Sequence, residues 1–457
     1  MASKHHLVLS LLGWLPSALA LPNILARETA PPVVSFATSM DHTSFQGTPS
    51  VTGALNASST LAMTISSLSV EPSATTYPSD GKLQDPAPAP YVPAGGVGTN
   101  GTTPVYNAKS DFDFQSLALV LYAEYIELDL FYDGLARFSE KEFTDAGLTA
   151  EDRYLIQFMA EQEIGHATLI TNILGAKAPK QCQYKYPYKT VREFVDFCQK
   201  LTRFSEAGVY GFLAHLDSRE AATLLTQTIT TEARQQMIFR QFEGLFPMPV
   251  WFEVGVSQSW AWTLLAPYIS SCPEGQTRLA WQNFPALHIV NQPNPDRING
   301  SSAYNETLTP GMNTLNSTGI NDSCLKSDVI GEACNASITH NRTTPLSFPG
   351  REVLLTWETP GQLVGPNNSY VTTTTASDPK FVMWVSQLNV TYTELTMGDN
   401  STSGSTIQPN TTTFEGDPAV NGTMFIAITD SDPFVTSFNF SMVNAHVVAG
   451  PALYQAG

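Results

Sequence analysis

A glutamate and a histidine three residues apart, Glu163 and His166 in the run A-E-Q-E-I-G-H-A-T-L-I, fall on a helical face whose other members, Ile156, Met159 and Ile170, are apolar. At about 100° per residue both side chains point the same way. Burying a charge without a partner is costly, so any fold that hides this face must bring polar groups to the pair from other segments. Helical bundles that carry Glu-x-x-His on a core-facing helix use it to hold a pair of iron or manganese ions, with glutamates from the neighbouring helices. That solution requires further inward glutamates in this chain.

Four segments have the helical period needed: about 111 to 138, 150 to 174, 190 to 216 and 218 to 245. Asp111 and Asp113 mark the first start, Thr149 with Glu151 and Asp152 the second, and Thr190 the third, while Gly175 stops the second segment. Short connections make the helices antiparallel neighbours, except at 175 to 189, where A-P-K-Q-C-Q-Y-K-Y-P-Y must cross over. A fifth, aromatic helix is predicted after Pro249 in W-F-E-V-G-V-S-Q-S-W-A-W-T-L-L, with Trp251, Trp260 and Trp262 capping the bundle as core. From about 280 the pattern changes to short β-prone runs, E-V-L-L-T-W, F-V-M-W-V-S-Q-L-N-V-T-Y-T and T-M-F-I-A-I-T, whose alternation suits an antiparallel sandwich. The fold class expected is therefore α+β and multidomain, a four-helix bundle at 111–275 followed by a β-rich, sandwich-like domain at 276–457.

The N-terminal stretch reads as a secretory signal: Lys4, His5 and His6, an apolar run from Leu7 to Leu15, and Ser17-Ala18-Leu19-Ala20 before the cut. No later run is long enough to span a bilayer, and the ending H-V-V-A-G-P-A-L-Y-Q-A-G is too mixed for a lipid-anchor signal. Residues 21–110, rich in Ser, Thr, Pro and Ala, read as a disordered stalk. Fourteen Asn-x-Ser/Thr sequons avoid 101–298 altogether, which marks the middle as compact and the flanks as the sugar-bearing parts. Residues 299–345 carry six of them and read as an irregular insertion. Five cysteines in a secreted chain imply disulfides with one thiol left over. Cys324 with Cys334 is the favoured small loop, and Cys182, Cys198 and Cys272 share one further bridge with its partners open. A formal charge of −18 argues against nucleic acid or an anionic membrane as partner.

The first helix offers Glu124, centred among Leu117, Leu121, Leu128 and Phe131, and Glu127, about 60° round and nearer the edge. Glu124 is the first choice and Glu127 the second. Glu161 lies about 200° from Glu163 and faces solvent. The third helix offers Glu206, and the fourth Glu232 among Leu225, Ile229 and Phe239. Three residues past Glu232, where a symmetric site would place a second histidine, stands Gln235, whose neutral carbonyl is a weaker donor than imidazole. His446 reads as a sandwich residue. No nucleophile–base–acid triad or phosphate loop competes, and a blue-copper site lacks its cysteine beyond Cys334.

The block from Asp111 to about Ile269 resembles the secreted ferritin-like domain shared by plant desiccation-related and fungal stress-response proteins. The runs that carry the resemblance are L-Y-A-E-Y-I-E-L-D-L-F-Y, E-Q-E-I-G-H-A-T-L, S-E-A-G-V-Y-G-F-L and T-T-E-A-R-Q; F-E-G-L-F-P-M-P-V-W-F and the final G-P-A-L-Y-Q-A-G look like the fungal branch. The resemblance implies metal ligation by Glu124, Glu163, His166, Glu206 and Glu232, with Gln235 departing from the E-x-R-H that ends many such bundles. Two functions follow as expectations. One is a secreted protein with an asymmetric iron or manganese site, dinuclear or mononuclear, for metal binding or for peroxide or oxygen chemistry. The other is a metal-free extracellular or cell-wall glycoprotein that uses the bundle as a scaffold. Fold alone does not decide between an enzyme and a scaffold.

Overall fold

The computed structural model describes residues 106–243, 245–293, 347–417 and 422–457. The signal at 1–20, the stalk up to residue 105, the Cys324–Cys334 loop and the insertion at 299–345 lie outside the described residues. Those described belong to one compact unit, Asp41–Gly457. No helix among them is long and apolar enough to cross a membrane.

Four long helices form the bundle: α1 (Asp111–Arg137), α3 (Ala150–Leu174), α4 (Val191–Leu213) and α5 (Arg219–Phe242), with a short α2 (Glu140–Asp145) between the first two. Each start has a physical cause. Ser110 caps α1 and Ser218 caps α5, while Ser139, Thr149 and Thr190 make reciprocal capping boxes with Glu142, Asp152 and Glu193. Asp111 and Asp113 therefore sit inside the first turn rather than before it, where they meet the positive end of the helix. At the end of α3, Gly175 takes a φ of +66°, which a side chain would resist. Helix α1 pairs chiefly with α3, and α4 with α5.

The crossover between α3 and α4 is held along α1 by the period of an extended chain, which turns Tyr184, Tyr186 and Tyr188 to one side. Their rings stack at 6.3 and 5.5 Å. Tyr186 donates to Asp129 Oδ1 at 2.7 Å and Tyr188 donates to Asp133, so two aspartates one turn apart on α1 match two tyrosines two residues apart on the crossover. Burial pushes the Asp129 carboxyl up to about 8, although the Tyr186 hydrogen bond opposes it. The crossover also supplies β1 (Gln183–Tyr184), antiparallel to β2 (Ile269–Ser271). Beside this ribbon Cys182 and Cys272 form a disulfide, and Cys198 is left as a buried free thiol.

The aromatic helix α6 is shorter than predicted, Gln258–Leu265, because Ser257 caps it and residues 250–257 run non-helically along α4. Gly211 makes that approach feasible: a Cβ there would stand 1.7 Å from the Val256 carbonyl oxygen. Val256 N donates to Ala207 O at 2.9 Å. Trp260 and Trp262 are wholly buried as expected, but Trp251 is 53% exposed, since it precedes the cap and lies outside the helix.

The remaining strands are β3 (Leu287–Ile289), β4 (Glu352–Trp357), β5 (Leu363–Val364), β6 (Tyr370–Val371), β7 (Phe381–Ser386), β8 (Asn389–Glu394), β9 (Thr396–Met397), β10 (Ser403–Ile407), β11 (Thr423–Thr429) and β12 (Val447–Gln455). Two four-stranded sheets result, in the orders β3-β4-β10-β9 and β12-β11-β7-β8, with all pairs antiparallel. Strict alternation in β4 turns Val353, Leu355 and Trp357 inward against Val382, Trp384, Ile426, Ile428 and Tyr454 of the other sheet. The long run at 381–393 folds back on itself at Gln387, whose φ is +53°. Helices and sheets meet through Trp260 on Phe440, Trp262 on Tyr370, and the Gln387 carbonyl, which accepts from Trp251 N and Phe252 N.

Candidate metal centre

The Glu163–His166 pair on α3 points into the bundle, with Glu163 fully buried and His166 nearly so. His166 Nδ1 lies 2.9 Å from Glu163 Oε2, 3.2 Å from Glu124 Oε2 on α1 and 3.9 Å from Glu232 Oε1 on α5. Ligand atoms of Glu124, His166 and Glu232 all fall within 4.8 Å of one another. The other ring nitrogen, Nε2, is 3.0 Å from Thr231 Oγ1. Three helices thus converge on one imidazole nitrogen.

Glu127 is buried as completely as Glu124, which corrects the expectation that it sits near an edge. The reason is that α1 has no edge: 21 of its 27 residues are buried, enclosed by neighbouring helices, the crossover and α6. Glu161 is exposed as predicted. Gln235 donates through Nε2 to Glu163 and, at 3.2 Å, to Gln162 Oε1. Glu206 is buried but turned elsewhere: Arg203 Nη1 donates to its Oε2 at 2.9 Å and the Tyr210 hydroxyl to its Oε1 at 3.0 Å. Arg203 in turn reaches Glu253, beyond the bundle helices. The α4 glutamate expected as a ligand is therefore held in an ion pair. His446, in the sheet region, bonds to Asp430 and Ser431.

Burial governs the charges here. It pushes Glu124, Glu127 and Glu232 well above the ordinary carboxylate range, and the neighbouring carboxylates push the same way. Burial acts on Glu163 too, but the charge of His166 and hydrogen bonds from His166, Glu124 and Gln235 hold it below that range. Burial alone would lower His166, yet Glu124 and Glu163 raise it to about 12. Glu163 and His166 thus favour each other's charged form, while burial opposes charge on the carboxyls around them.

The residues fit a hard or borderline cation. Glu124 Oε1, both oxygens of Glu127, Glu232 Oε2 and Gln235 Oε1 are buried with no hydrogen-bond partner. Unpartnered buried oxygens are destabilising unless a ligand, ion or water meets them. Carboxylates with one imidazole suit iron or manganese, with zinc less specific and copper disfavoured.

A four-helix bundle whose helices aim glutamates and a Glu-x-x-His at one another is ferritin-like in fold. Residues 110–245 match the family model described as a ferritin-like domain. Over 373 residues the chain is 50% identical to Protein rds1 of Schizosaccharomyces pombe, covering 81% of this chain and 87% of that protein. The chain belongs to that family, and its similarity runs well beyond the helical part.

Proposed function

We propose that this chain is a secreted, glycosylated stress-response protein whose bundle holds iron or manganese between Glu124, His166 and Glu232, with Glu163 beside them. The observation that carries the reading is the convergence of those three ligand atoms within 4.8 Å in a core where Glu124 Oε1, Glu232 Oε2 and both Glu127 oxygens lack partners. When bound, such an ion supplies one-electron exchange with peroxide or dioxygen. The chain's own residues do the positioning. Thr231 holds the ring of His166, Gln235 orients Glu163, and Phe131 and Phe239, one turn beyond Glu127 and Gln235, pack at 5.4 Å and keep water from that end.

Export is supported by the signal-like N-terminus and by the sequons, of which Asn367, Asn400 and Asn410 are exposed. Asn389, half-buried at the start of β8, donates its amide to Thr412 O at 3.1 Å, and Asn439 is half-buried as well. The Cys182–Cys272 disulfide suits an oxidising compartment.

A second reading, a metal-free cell-wall or extracellular scaffold, is favoured by one specific contact. The Gln235 amide donates to Glu163 from the place a second imidazole would take, so part of the carboxylate set is satisfied from within the chain. Elemental analysis of the full-length protein, purified from a secreting host without chelator, separates the two. The metal reading expects at least one iron or manganese per chain and its loss in His166→Ala. Substoichiometric metal that the substitution leaves unchanged would establish the scaffold.

A further inference from the structure

A surface feature that the bundle site leaves unexplained is aromatic. Trp251, Phe252 and Phe414 are 53%, 37% and 55% exposed. They come from segments far apart in sequence and meet on one loop. The rings of Phe252 and Phe414 lie 6.0 Å apart, and the indole of Trp251 comes within 3.9 Å of where a Cβ on Gly416 would stand. Gln387, itself buried, ties the segments together. Its side-chain carbonyl accepts from Trp251 N at 2.8 Å and Phe252 N at 3.0 Å, and its amide donates to Asp417. Asp417 in turn accepts from Thr413 N at 2.7 Å. The backbone beneath the rings is therefore fixed. A contiguous exposed apolar patch, unlike scattered single residues, marks an interaction site.

The same loop carries a sequon. Asn410-Thr411-Thr412 begins four residues before Phe414, and four residues of chain span at most about 14 Å. Asn410 is exposed, while Thr411 is buried against Met424. The Asn410 Oδ1 accepts from Thr412 N at 3.2 Å, and its amide nitrogen, the atom that would carry a glycan, bonds to none of the described residues. We infer that the aromatic patch is a saccharide platform whose occupant is the chain's own glycan on Asn410. The C–H bonds on one face of a sugar ring are partly positive, and the faces of indole and phenyl rings are negative. Exposed Glu415, between Phe414 and Gly416, offers a carboxylate to the sugar hydroxyls. A tethered sugar is favoured over a free polysaccharide because attachment at Asn410 keeps its effective concentration at the rings high. This inference rests on the export and glycosylation reading above and gives one glycan a structural part, that of covering apolar rings which would otherwise face water and other chains.

The test uses the full-length protein from a secreting host, with occupancy of each sequon read by mass spectrometry of its peptides. Among the described tryptophans Trp251 alone is exposed, so acrylamide quenching of fluorescence reports on it. Stacking covers a face of the ring, so Asn410→Gln should raise that quenching about twofold or more and raise the binding of an apolar dye. Asn400→Gln, which removes another exposed sequon, should change neither. Enzymatic removal of N-glycans from wild type already folded should reproduce the Asn410→Gln result, so poor secretion of that variant leaves the test intact. Adding Trp251→Ala to Asn410→Gln should abolish the gain in quenching, which assigns the signal to that ring. An occupied Asn410 whose loss moves neither readout would overturn this inference alone. So would an Asn410 without glycan on a chain glycosylated at Asn400, or equal binding of a free glucan oligosaccharide by wild type and Asn410→Gln. A chain with no glycan at any sequon would overturn the glycosylation reading as well.

Discussion

Thr231 decides which nitrogen of His166 faces the carboxylates. Its hydroxyl donates to the Thr228 carbonyl at 2.6 Å, so it can only accept from His166 Nε2, 3.0 Å away. Nε2 therefore carries a proton, and Nδ1 is the atom presented to Glu124, Glu163 and Glu232. Outer partners of this kind fix the ring and typically contribute 10–100-fold to metal affinity. Thr231→Val should lower affinity by about that factor in competition with a chelator, and Thr231→Ser should restore it.

The Glu206 ion pair gives a pH signature that belongs to the protein rather than to a bound ion. Burial, opposed by Arg203 and assisted by Glu253, raises Glu206 to about 7 from an ordinary value near 4.5. A carboxyl with a raised folded pKa contributes its stability below the unfolded pKa and loses it as pH rises through the folded one. Wild type should therefore lose stability between pH 4.5 and 7 through this group, by at most roughly 3 kcal/mol. Urea titrations at pH 5 and pH 8 check this, since Glu206→Gln should flatten that part of the profile.

The disulfide closes a sequence separation of 90 residues that contains α4, α5 and α6. Chain-entropy arguments put its contribution at about 4.5 kcal/mol, and native bridges usually deliver 2–5 kcal/mol. Cys272→Ser should lower the melting temperature sharply, whereas Cys198→Ser, which breaks no bond, should leave it within a few degrees. Thermal melts of the two variants side by side measure the difference.

Two helical glycines should respond in opposite directions. Gly211→Ala drives a methyl group into the Val256 backbone, 1.7 Å from its carbonyl oxygen, and should cost roughly 1–3 kcal/mol or more by prising residues 250–257 from α4. Gly165→Ala meets nothing within 4 Å on an exposed face of α3 and should stabilise by about 0.5–1 kcal/mol. Denaturant midpoints of both variants test the contrast.

Local signals made much of this molecule readable in advance. Thr149 with Asp152, Thr190 and Gly175 are neighbours in sequence of the turns they start or stop, so helix boundaries came within a few residues. The spacing of Glu163 and His166 is likewise local, and so is the alternation of Val353, Leu355 and Trp357. The parts that escaped depend on partners far along the chain. Glu206 looks like a ligand until Glu253, brought back by the segment after α5, shares its arginine. Glu127 looks marginal because an angular argument assumes a helix with a wet side, and α1 has none. Trp251 was misplaced because Pro249 is a visible helix signal, yet Ser257 supplies the cap. Which of three cysteines stays free depends on β1 meeting β2, a pairing of two- and three-residue strands too short to read.

The ferritin-like match stops at residue 245, but the contacts do not. Arg240, near the end of α5, donates to Phe246 O at 2.8 Å and to Gly457 O at 3.1 Å. Trp260 and Trp262 join α6 to the region of the sheets, and α1 buries 21 of its 27 residues. The stretch that the ferritin-like model matches is thus smaller than the stretch joined by these contacts, and the 373-residue similarity to the fungal relative covers much more of the chain than that model does. A fragment ending at 245 would leave Arg240 without its Phe246 and Gly457 acceptors. Moving this bundle alone to a new host chain would also strip Trp260 and Trp262 of Phe440 and Tyr370.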